Sequence, residues 1–457
     1  MSGLLLSIAF ALATEAAGSL ALRPVRQGMR GSLSASLLAG LGCQIAAAPA
    51  LLLIPREAGA RTIVYWALAA AALLARWIRV PVRGVRAPSP PSPPSLFARR
   101  GIPAALLFLG GLAELRRLYA WPLDTIDFRT MYGLRARYLF LSGDGLISLF
   151  DRYRTPWHGF YPPGLPLLYT SAAVAFGRFD ERLLAIVPAL AAVLLLVAVF
   201  DLLVALDVSL LPASLWAAVV AISPGLWAST EAGHAEVPLA AALVVAVSSL
   251  LQPARRENDA ALRLAAALCG LFKNEGFILA VLLLGADLMR NHRAGIAGRI
   301  RGHLAALAPG ALWTAAAALA GFPKDTGPVL LPPSSWGPAL SRLPGMLEVL
   351  GSVAVHSVSG PFLLCLPIAV ALAVTRRGDA LLQRGAAVAA VLLLQLVAIF
   401  YAYLVTPYHV IWLMWVSIER ILAPLALAEI LVLASLAGRE SDRASEIREV
   451  DPISPGA

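Results

Sequence analysis

The chain has 457 residues, of which 59% are hydrophobic and 14% are charged. Soluble domains carry roughly 25% charged residues, so this composition argues against a water-soluble enzyme. The net charge of +10 would suggest nucleic-acid binding in a soluble protein. In a membrane protein, arginines in the connections between spans explain it better.

Apolar runs that approach the length of a membrane span recur along the whole chain. A helix needs about 20 residues to cross a bilayer, and these runs predict an all-α polytopic membrane protein with about 13 spans. The predicted spans are residues 3–22, 33–54, 62–80, 101–121, 182–205, 211–226, 236–252, 261–273, 276–290, 303–320, 358–375, 385–404 and 421–437. Several runs are short, which indicates broken or partly re-entrant helices.

The connections divide the chain into parts of different composition. Residues 1–80 form a three-span N-terminal extension, and residues 81–100 form a linker rich in proline and arginine. Residues 101–437 form the main transmembrane domain, which includes a long loop at residues 122–181. Residues 438–457 form a polar tail. The prolines of the linker favour an extended conformation.

The arginines predict how the chain is oriented in a cytoplasmic (inner) membrane. They lie in alternate connections, and the positive-inside rule makes that side cytoplasmic. The linker and the tail are then cytoplasmic, and the N-terminus is outside. The loop at residues 122–181 falls outside although it contains arginines, which are interleaved with aspartates. We therefore expect a folded extracytoplasmic loop with a function.

Two aspartates in this loop are candidates for catalysis. Asp124 and Asp127 follow the end of a predicted span, where a carboxylate can act as a base on a hydroxyl at the membrane surface. If the segment is helical, Asp127, Met131 and Arg135 share one face. The alternative is a surface helix with ordinary ion pairs, which contribute little.

A motif of prolines and glycines follows in the same loop. It contains His158 and Tyr161, and its prolines interrupt any helix. Residues 165–176 are apolar but too short to span a bilayer, and predict a re-entrant or interfacial helix. His158 is a candidate proton carrier, and the alternative is a structural hydrogen-bonding role.

Residues 231–238 contain a second set of candidate ligands. His234 and Glu236 carry an imidazole and a carboxylate, which suit a divalent cation. A helix N-terminus that favours acidic residues is an equally good explanation.

A charged motif interrupts a long apolar region at Lys273, Asn274 and Glu275. Only two of the 37 basic residues are lysine, and Lys273 is one of them. Charges at membrane depth are costly and by default mark function, and a compact ammonium suits a phosphate oxygen. The alternative is a short turn with a local ion pair.

The last candidate segment is an outer loop rich in aromatic residues. It contains Tyr408, His409 and Trp412, followed by Arg420. An aromatic belt at the membrane interface explains the tryptophan, but it does not explain Arg420.

Together these motifs resemble bacterial GT-C membrane glycosyltransferases, a group that includes lipid A aminoarabinose transferase and the protein O-mannosyltransferases. The resemblance covers about residues 100–437. Its four marks are Asp127 with Tyr132 and Arg135, His158 with Tyr161-Pro162-Pro163, the Lys-Asn-Glu-Gly sequence at 273–276, and Thr406-Pro407-Tyr408 with Trp412, Ser417 and Arg420. The family's pattern differs here at Ile126, Phe160, Glu236 and His409, which affects the expectation of a metal more than that of the fold.

The resemblance implies a GT-C-like transmembrane bundle that transfers a sugar, with inversion, from a polyprenyl-phosphate donor to an acceptor at the extracytoplasmic face. The acceptor is a glycan, a lipid or a protein, and no nucleic acid takes part. Asp127 is expected to be the general base, with Asp124 as the other candidate. The expected donor phosphate ligands are Arg135, Lys273 and Arg420. The expected substrate-binding residues are His158, Tyr161, Glu236, Asn274, Glu275, Tyr408 and His409. A divalent cation at His234 and Glu236 is a candidate cofactor.

Two other functional classes remain. A transporter or flippase of a lipid-linked substrate explains the spans and the buried charges, but not the folded outer loop. A scaffold protein explains neither Lys273 nor Asp127.

Overall fold

The structure is a computed structural model, and it describes only part of the chain. The described residues are 2–22, 33–54, 59–77, 123, 125–142, 147, 150, 159–206, 208, 213–214, 216–217, 220, 233–252, 255–291, 295–322, 335–356, 380–406, 409–415, 417–425 and 427–428. These residues form helices and turns, and no strand occurs among them.

The helices are numbered in chain order. They are α1 (Ser2–Ala21), α2 (Leu33–Leu52), α3 (Ala60–Trp77), α4 (Gly133–Leu141), α5 (Gly164–Phe176), α6 (Glu181–Leu184), α7 (Ile186–Ala205), α8 (Glu236–Leu251), α9 (Arg256–Phe272), α10 (Asn274–Arg290), α11 (Ile296–Leu319), α12 (Trp336–Leu340), α13 (Leu343–His356) and α14 (Ala380–Val405). A π-helical turn (Phe128–Tyr132) leads directly into α4. Residues 410–415 and 417–425 are also helical.

Helices of the described region are long and apolar enough to cross a membrane. Four meet both criteria, at Leu33–Leu52, Glu181–Ala205, Ile296–Leu319 and Arg384–Val405. The described residues are therefore all-α and compatible with the predicted membrane class. The number of spans stays a prediction, because the predicted spans at 101–121 and 358–375 lie outside the described residues.

Helices α1 to α3 pack against one another and against α5. Gly18 and Gly40 let α1 and α2 approach closely, because a Cβ atom at either glycine would overlap the backbone of the other helix. Such small residues are typical of helix contacts in membranes. The Gln44 amide donates to Tyr65 Oη at 2.9 Å and accepts from Ser171 Oγ at 2.5 Å. This buried network connects α2 and α3 to α5.

Helix α5 corresponds to the predicted re-entrant or interfacial helix. It has 13 residues, about 20 Å at 1.5 Å per residue, which is too short to cross a bilayer. All of its residues except Phe176 are buried. The helix therefore lies inside the bundle.

Helices α9 and α10 form a hairpin whose two ends differ in chemistry. At one end, Lys273 interrupts the helices with an extended backbone. At the other end, Asp287 binds Arg299 and His303, with N···O distances of 2.7 and 3.0 Å, and Arg299 also pairs with Asp259 at 2.9 Å. This second cluster ties α9, α10 and α11 together, whereas the candidate site lies at the Lys273 end.

Candidate functional site

Asp127 lies at the start of the π-helical turn and contacts two side chains from distant parts of the chain. Arg420 Nη1 donates to Asp127 Oδ2 at 2.8 Å, and His234 Nε2 lies 3.1 Å from the same oxygen. Arg420 Nη1 also lies 2.9 Å from His234 Nδ1. The three residues form a compact cluster, and among the described residues Asp127 Oδ1 makes no hydrogen bond.

Local structure holds this cluster in place. Gly233 has a φ of +65°, which glycine adopts at little cost and which positions His234 just before α8. The Tyr169 hydroxyl on α5 donates to the Gly233 carbonyl at 3.1 Å, and the Tyr169 ring meets Phe128 edge-on at 5.1 Å. Tyr169 therefore contacts a neighbour of Asp127 and a neighbour of His234.

The cluster keeps Asp127 ionised. Burial raises the pKa of the Asp127 carboxyl, but hydrogen bonds from His234 and Arg420 and their positive charges lower it by more. Its pKa therefore lies well below the usual range. At neutral pH the side chain is a carboxylate, 24% exposed.

A second cluster surrounds Lys273 between α9 and α10. Lys273 Nζ lies 3.1 Å from Glu236 Oε1 and 3.8 Å from Glu275 Oε1. The Lys273 and Glu236 side chains are each 7% exposed, and no described residue forms a hydrogen bond with Glu275 Oε2. Two carboxylates against one ammonium leave an excess negative charge, and a buried charge without a full partner is costly.

A small cavity extends from this second cluster. Its charged end is formed by Glu236, Lys273 and Glu275, and its walls are formed by Leu239, Leu279, Gln395, Ile399, Ile421, Pro424 and Leu425. The two clusters are adjacent, because Glu236 follows His234 by two residues and Ile421 follows Arg420 directly. The cavity is therefore charged at one end and largely apolar over the rest.

Arg135 is buried on α4, at 2% exposure. Its Nη1 donates to the Tyr161 carbonyl at 2.7 Å, and its guanidinium lies 5.2 Å from the ring centroid of Trp313. Its Nε and Nη2 have no hydrogen-bond partner among the described residues. Burial lowers the pKa of Arg135 to about 10, so it is still charged at neutral pH.

Tyr132 connects Arg135 to the two clusters. It is buried, and it lies close enough to Asp127, Glu236 and Lys273 to interact with their charges. The segment from Asp127 to Arg135 is helical and includes the π-helical turn. Such turns occur often at functional sites.

The remaining predicted residues are distributed as follows. Asn274 begins α10 beside Lys273. His409 is exposed, and its Nδ1 accepts from the Trp412 backbone N–H at 3.3 Å, which caps the helical residues that follow. Asp124, His158 and Tyr408 lie outside the described residues.

The proposed metal ligands His234 and Glu236 have different partners, Asp127 and Lys273. Within the described part of the chain, no group of three or more His, Cys, Asp or Glu side chains is arranged to hold a metal ion.

Three residues of the site were not predicted from the sequence. The Trp313 ring contacts the Arg135 guanidinium, and the Tyr169 hydroxyl donates to the Gly233 carbonyl. The Gln395 amide donates to the Glu275 backbone carbonyl at 3.0 Å. Only Gln395 gives a sequence signal, since an amide within the apolar run of α14 needs a buried partner.

No known protein family, curated protein or solved structure matches this chain in the three comparisons made. The function proposed below therefore depends on the geometry of the site and on the sequence motifs.

Proposed function

We propose that this protein is a GT-C-type glycosyltransferase that moves a sugar from a polyprenyl-phosphate donor to an acceptor hydroxyl. The observation that carries the proposal is that the Asp127 cluster lies next to the buried Lys273, which lines a small cavity with mostly apolar walls. A phosphate attached to a long apolar chain combines the same two chemistries, and the cavity of about 20 Å³ has to widen to admit it. The motifs that resemble the GT-C family support the same function.

Three cations are proposed to bind the donor phosphate. Lys273 lines the cavity, and Arg420 directly precedes Ile421, which also lines it. Arg135 has two buried nitrogens without hydrogen-bond partners in the described residues. The phosphate gains negative charge as the sugar leaves, so these contacts strengthen in the transition state. Arginine suits an oxyanion because its guanidinium presents several N–H groups in one plane.

The proposed reaction is a single displacement. The acceptor oxygen forms a bond to the anomeric carbon while the bond from that carbon to the phosphate oxygen breaks. The electron pair of the broken bond leaves with the phosphate, and the acceptor proton passes to Asp127 Oδ1. Attack opposite to the leaving group inverts the anomeric centre. His234 and Arg420 contact Asp127 Oδ2 and so orient the carboxylate. Its other oxygen, Oδ1, is proposed to accept the proton.

The test is release of free polyprenyl phosphate from a panel of polyprenyl-phosphate sugars by the purified protein in proteoliposomes. Asp127→Asn keeps the shape of the side chain but accepts a proton poorly, so we expect release to fall about 10²–10⁴-fold. The matched control is Asp180→Asn, because Asp180 caps α6 from a partly exposed position and asparagine caps helices equally well. Near-normal release by Asp127→Asn contradicts the proposed base, and no release with any donor contradicts the reaction.

A flippase of a lipid-linked substrate is the second candidate. The buried cluster of Lys273, Glu236 and Glu275 favours it, because buried ionisable groups in membrane proteins often lie on transport pathways. The same proteoliposomes distinguish the two functions. A flippase moves the intact donor across the bilayer and releases no free polyprenyl phosphate.

A further inference from the structure

A second depression lies along the π-helical turn and α4. It is lined by Leu123, Phe128, Arg129, Leu134, Arg137 and Phe179, together with Gly133 and Glu181. Its volume is about 480 Å³, which falls within the range of small-molecule sites. It shares no lining residue with the cavity beside Lys273, and we call it the outer groove.

The outer groove combines a cationic edge with an apolar surface. Arg129 and Arg137 are exposed, and Glu181 is the only acidic residue among its lining residues. Phe128 is buried, and Leu134 and Phe179 are partly buried. This combination is complementary to an anionic headgroup attached to apolar chains, and it offers little to an uncharged sugar.

The outer groove begins next to the proposed base. Phe128, which forms part of its wall, directly follows Asp127 in the chain. Asp127 Oδ1 makes no hydrogen bond to a described residue, and the side chain is partly exposed. Asp127 does not itself line the groove, so a hydroxyl on a molecule in the groove has to extend past Phe128 to reach the carboxylate.

We propose that the outer groove binds the acceptor, and that the acceptor is an anionic phospholipid whose headgroup carries a free hydroxyl. Arg129 and Arg137 contact the phosphate, the apolar residues contact the acyl chains, and the hydroxyl points to Asp127. Binding of this lipid depends only on the groove. Its role as acceptor rests on the proposed function.

The binding test uses phosphatidylglycerol as the probe and phosphatidylcholine as its uncharged counterpart. The purified full-length protein is titrated with each lipid, and bound lipid is counted by native mass spectrometry. We expect phosphatidylglycerol to bind more tightly than phosphatidylcholine. The double variant Arg129→Gln/Arg137→Gln should weaken phosphatidylglycerol about tenfold and leave phosphatidylcholine unchanged, because charge-assisted contacts to phosphate are the strong ones.

Two further variants make the result specific. Arg129→Lys/Arg137→Lys keeps both charges and should retain most of the binding. Arg301→Gln removes an exposed arginine on α11, outside the outer groove, and should bind as the wild type does. Equal binding of both lipids, or an equal loss in Arg301→Gln, overturns the proposal. If phosphatidylglycerol binds as expected but no free polyprenyl phosphate is ever released, the lipid site stands and the proposed transferase function fails.

Discussion

At the scale of single residues, the most informative side chain is Asp127. A general base must be ionised and must have a lone pair that faces its substrate. Both contacts from described side chains fall on Asp127 Oδ2, and Oδ1 makes no hydrogen bond to a described residue. The same contacts that orient the carboxylate also make it a weaker base, because they stabilise its charged form.

The contact between His234 and Asp127 predicts that changing His234 shifts the pH dependence of the reaction. The pKa of Asp127 is depressed, so activity that needs the carboxylate persists above that pKa and is lost as the pH falls through it. His234→Phe removes one hydrogen bond to Oδ2, which should raise the pKa of Asp127 and move the acidic limb of the rate profile to higher pH. The measurement is polyprenyl phosphate release against pH for both proteins. An acidic limb that stays in place would mean that His234 does not act on Asp127.

Lys273 poses a different problem at the same scale. It already has two carboxylate partners, Glu236 and Glu275, so an incoming phosphate meets a cluster with excess negative charge. Of the two acids, Glu236 is the closer to Lys273, whereas Glu275 Oε2 has no hydrogen-bond partner in the described region. Removing the negative charge of Glu275 should therefore destabilise the protein less than removing that of Glu236.

We predict that Glu275→Gln binds donor more tightly than the wild type. The substitution leaves Lys273 with one carboxylate and removes a negative charge that repels the phosphate. A gain of about 1.4 kcal/mol corresponds to tenfold in Kd, and we expect an effect of roughly that size. Glu348→Gln is the matched control, because Glu348 is exposed on α13. Weaker donor binding by Glu275→Gln in a protein of normal thermal stability would show that Glu275 itself contacts the donor.

At the scale of helices, the hairpin of α9 and α10 sets the position of Lys273. The hairpin closes tightly because Gly276 faces the carbonyl of Cys269, and a Cβ atom at Gly276 would overlap that oxygen. Gly285 lies later on the same helix and has nothing within 4 Å of its Cβ position. Both glycines therefore lie on α10, but only Gly276 is tightly packed against another helix.

Alanine substitutions at these two glycines should have opposite effects. Gly276→Ala has to separate α9 from α10, and overpacking of this kind costs about 1–3 kcal/mol. Gly285→Ala should be neutral or stabilising by about 0.5–1 kcal/mol, because alanine favours helix. Thermal unfolding of both variants in the same detergent measures the difference. Equal midpoints for both variants would show that the hairpin is not tightly packed at Gly276.

At the scale of the whole molecule, the charged clusters lie at two ends of the bundle. The cluster at Lys273 begins α10 and the cluster at Asp287 lies near its end, so about 20 Å separates them at 1.5 Å per residue. The Lys273 cluster belongs to the candidate site, whereas the Asp287 cluster connects α9, α10 and α11. The arginine distribution predicts that the first end faces outward.

Cysteine labelling tests this orientation. In a background without Cys43, Cys269 and Cys365, Arg178→Cys should react with an impermeant reagent on intact cells, because Arg178 is 63% exposed beside the outer groove. Arg301→Cys lies on α11 near the other end and should react only after permeabilisation. The reverse pattern would invert the topology and with it the proposed side of the reaction.

The sequence by itself determined the class of the protein and its local breaks. Repeated long apolar runs can be counted directly in the sequence. They indicate a helical membrane protein without any knowledge of how the helices pack. The residue types also indicate where helices end. The polar residues at Lys273 to Glu275 interrupt an apolar run, and the two helices end and begin there. The short helix α5 was predicted by its length in the same way.

Only the tertiary structure decided which side chains meet. Arg420 and Asp127 are 293 residues apart in the chain, and no local pattern predicts their contact. His234, a candidate metal ligand in the sequence, contacts Asp127, while Glu236, two residues later, faces Lys273. The physical reason is that helix packing fixes the rotation of each helix, and this rotation assigns neighbouring side chains to different partners.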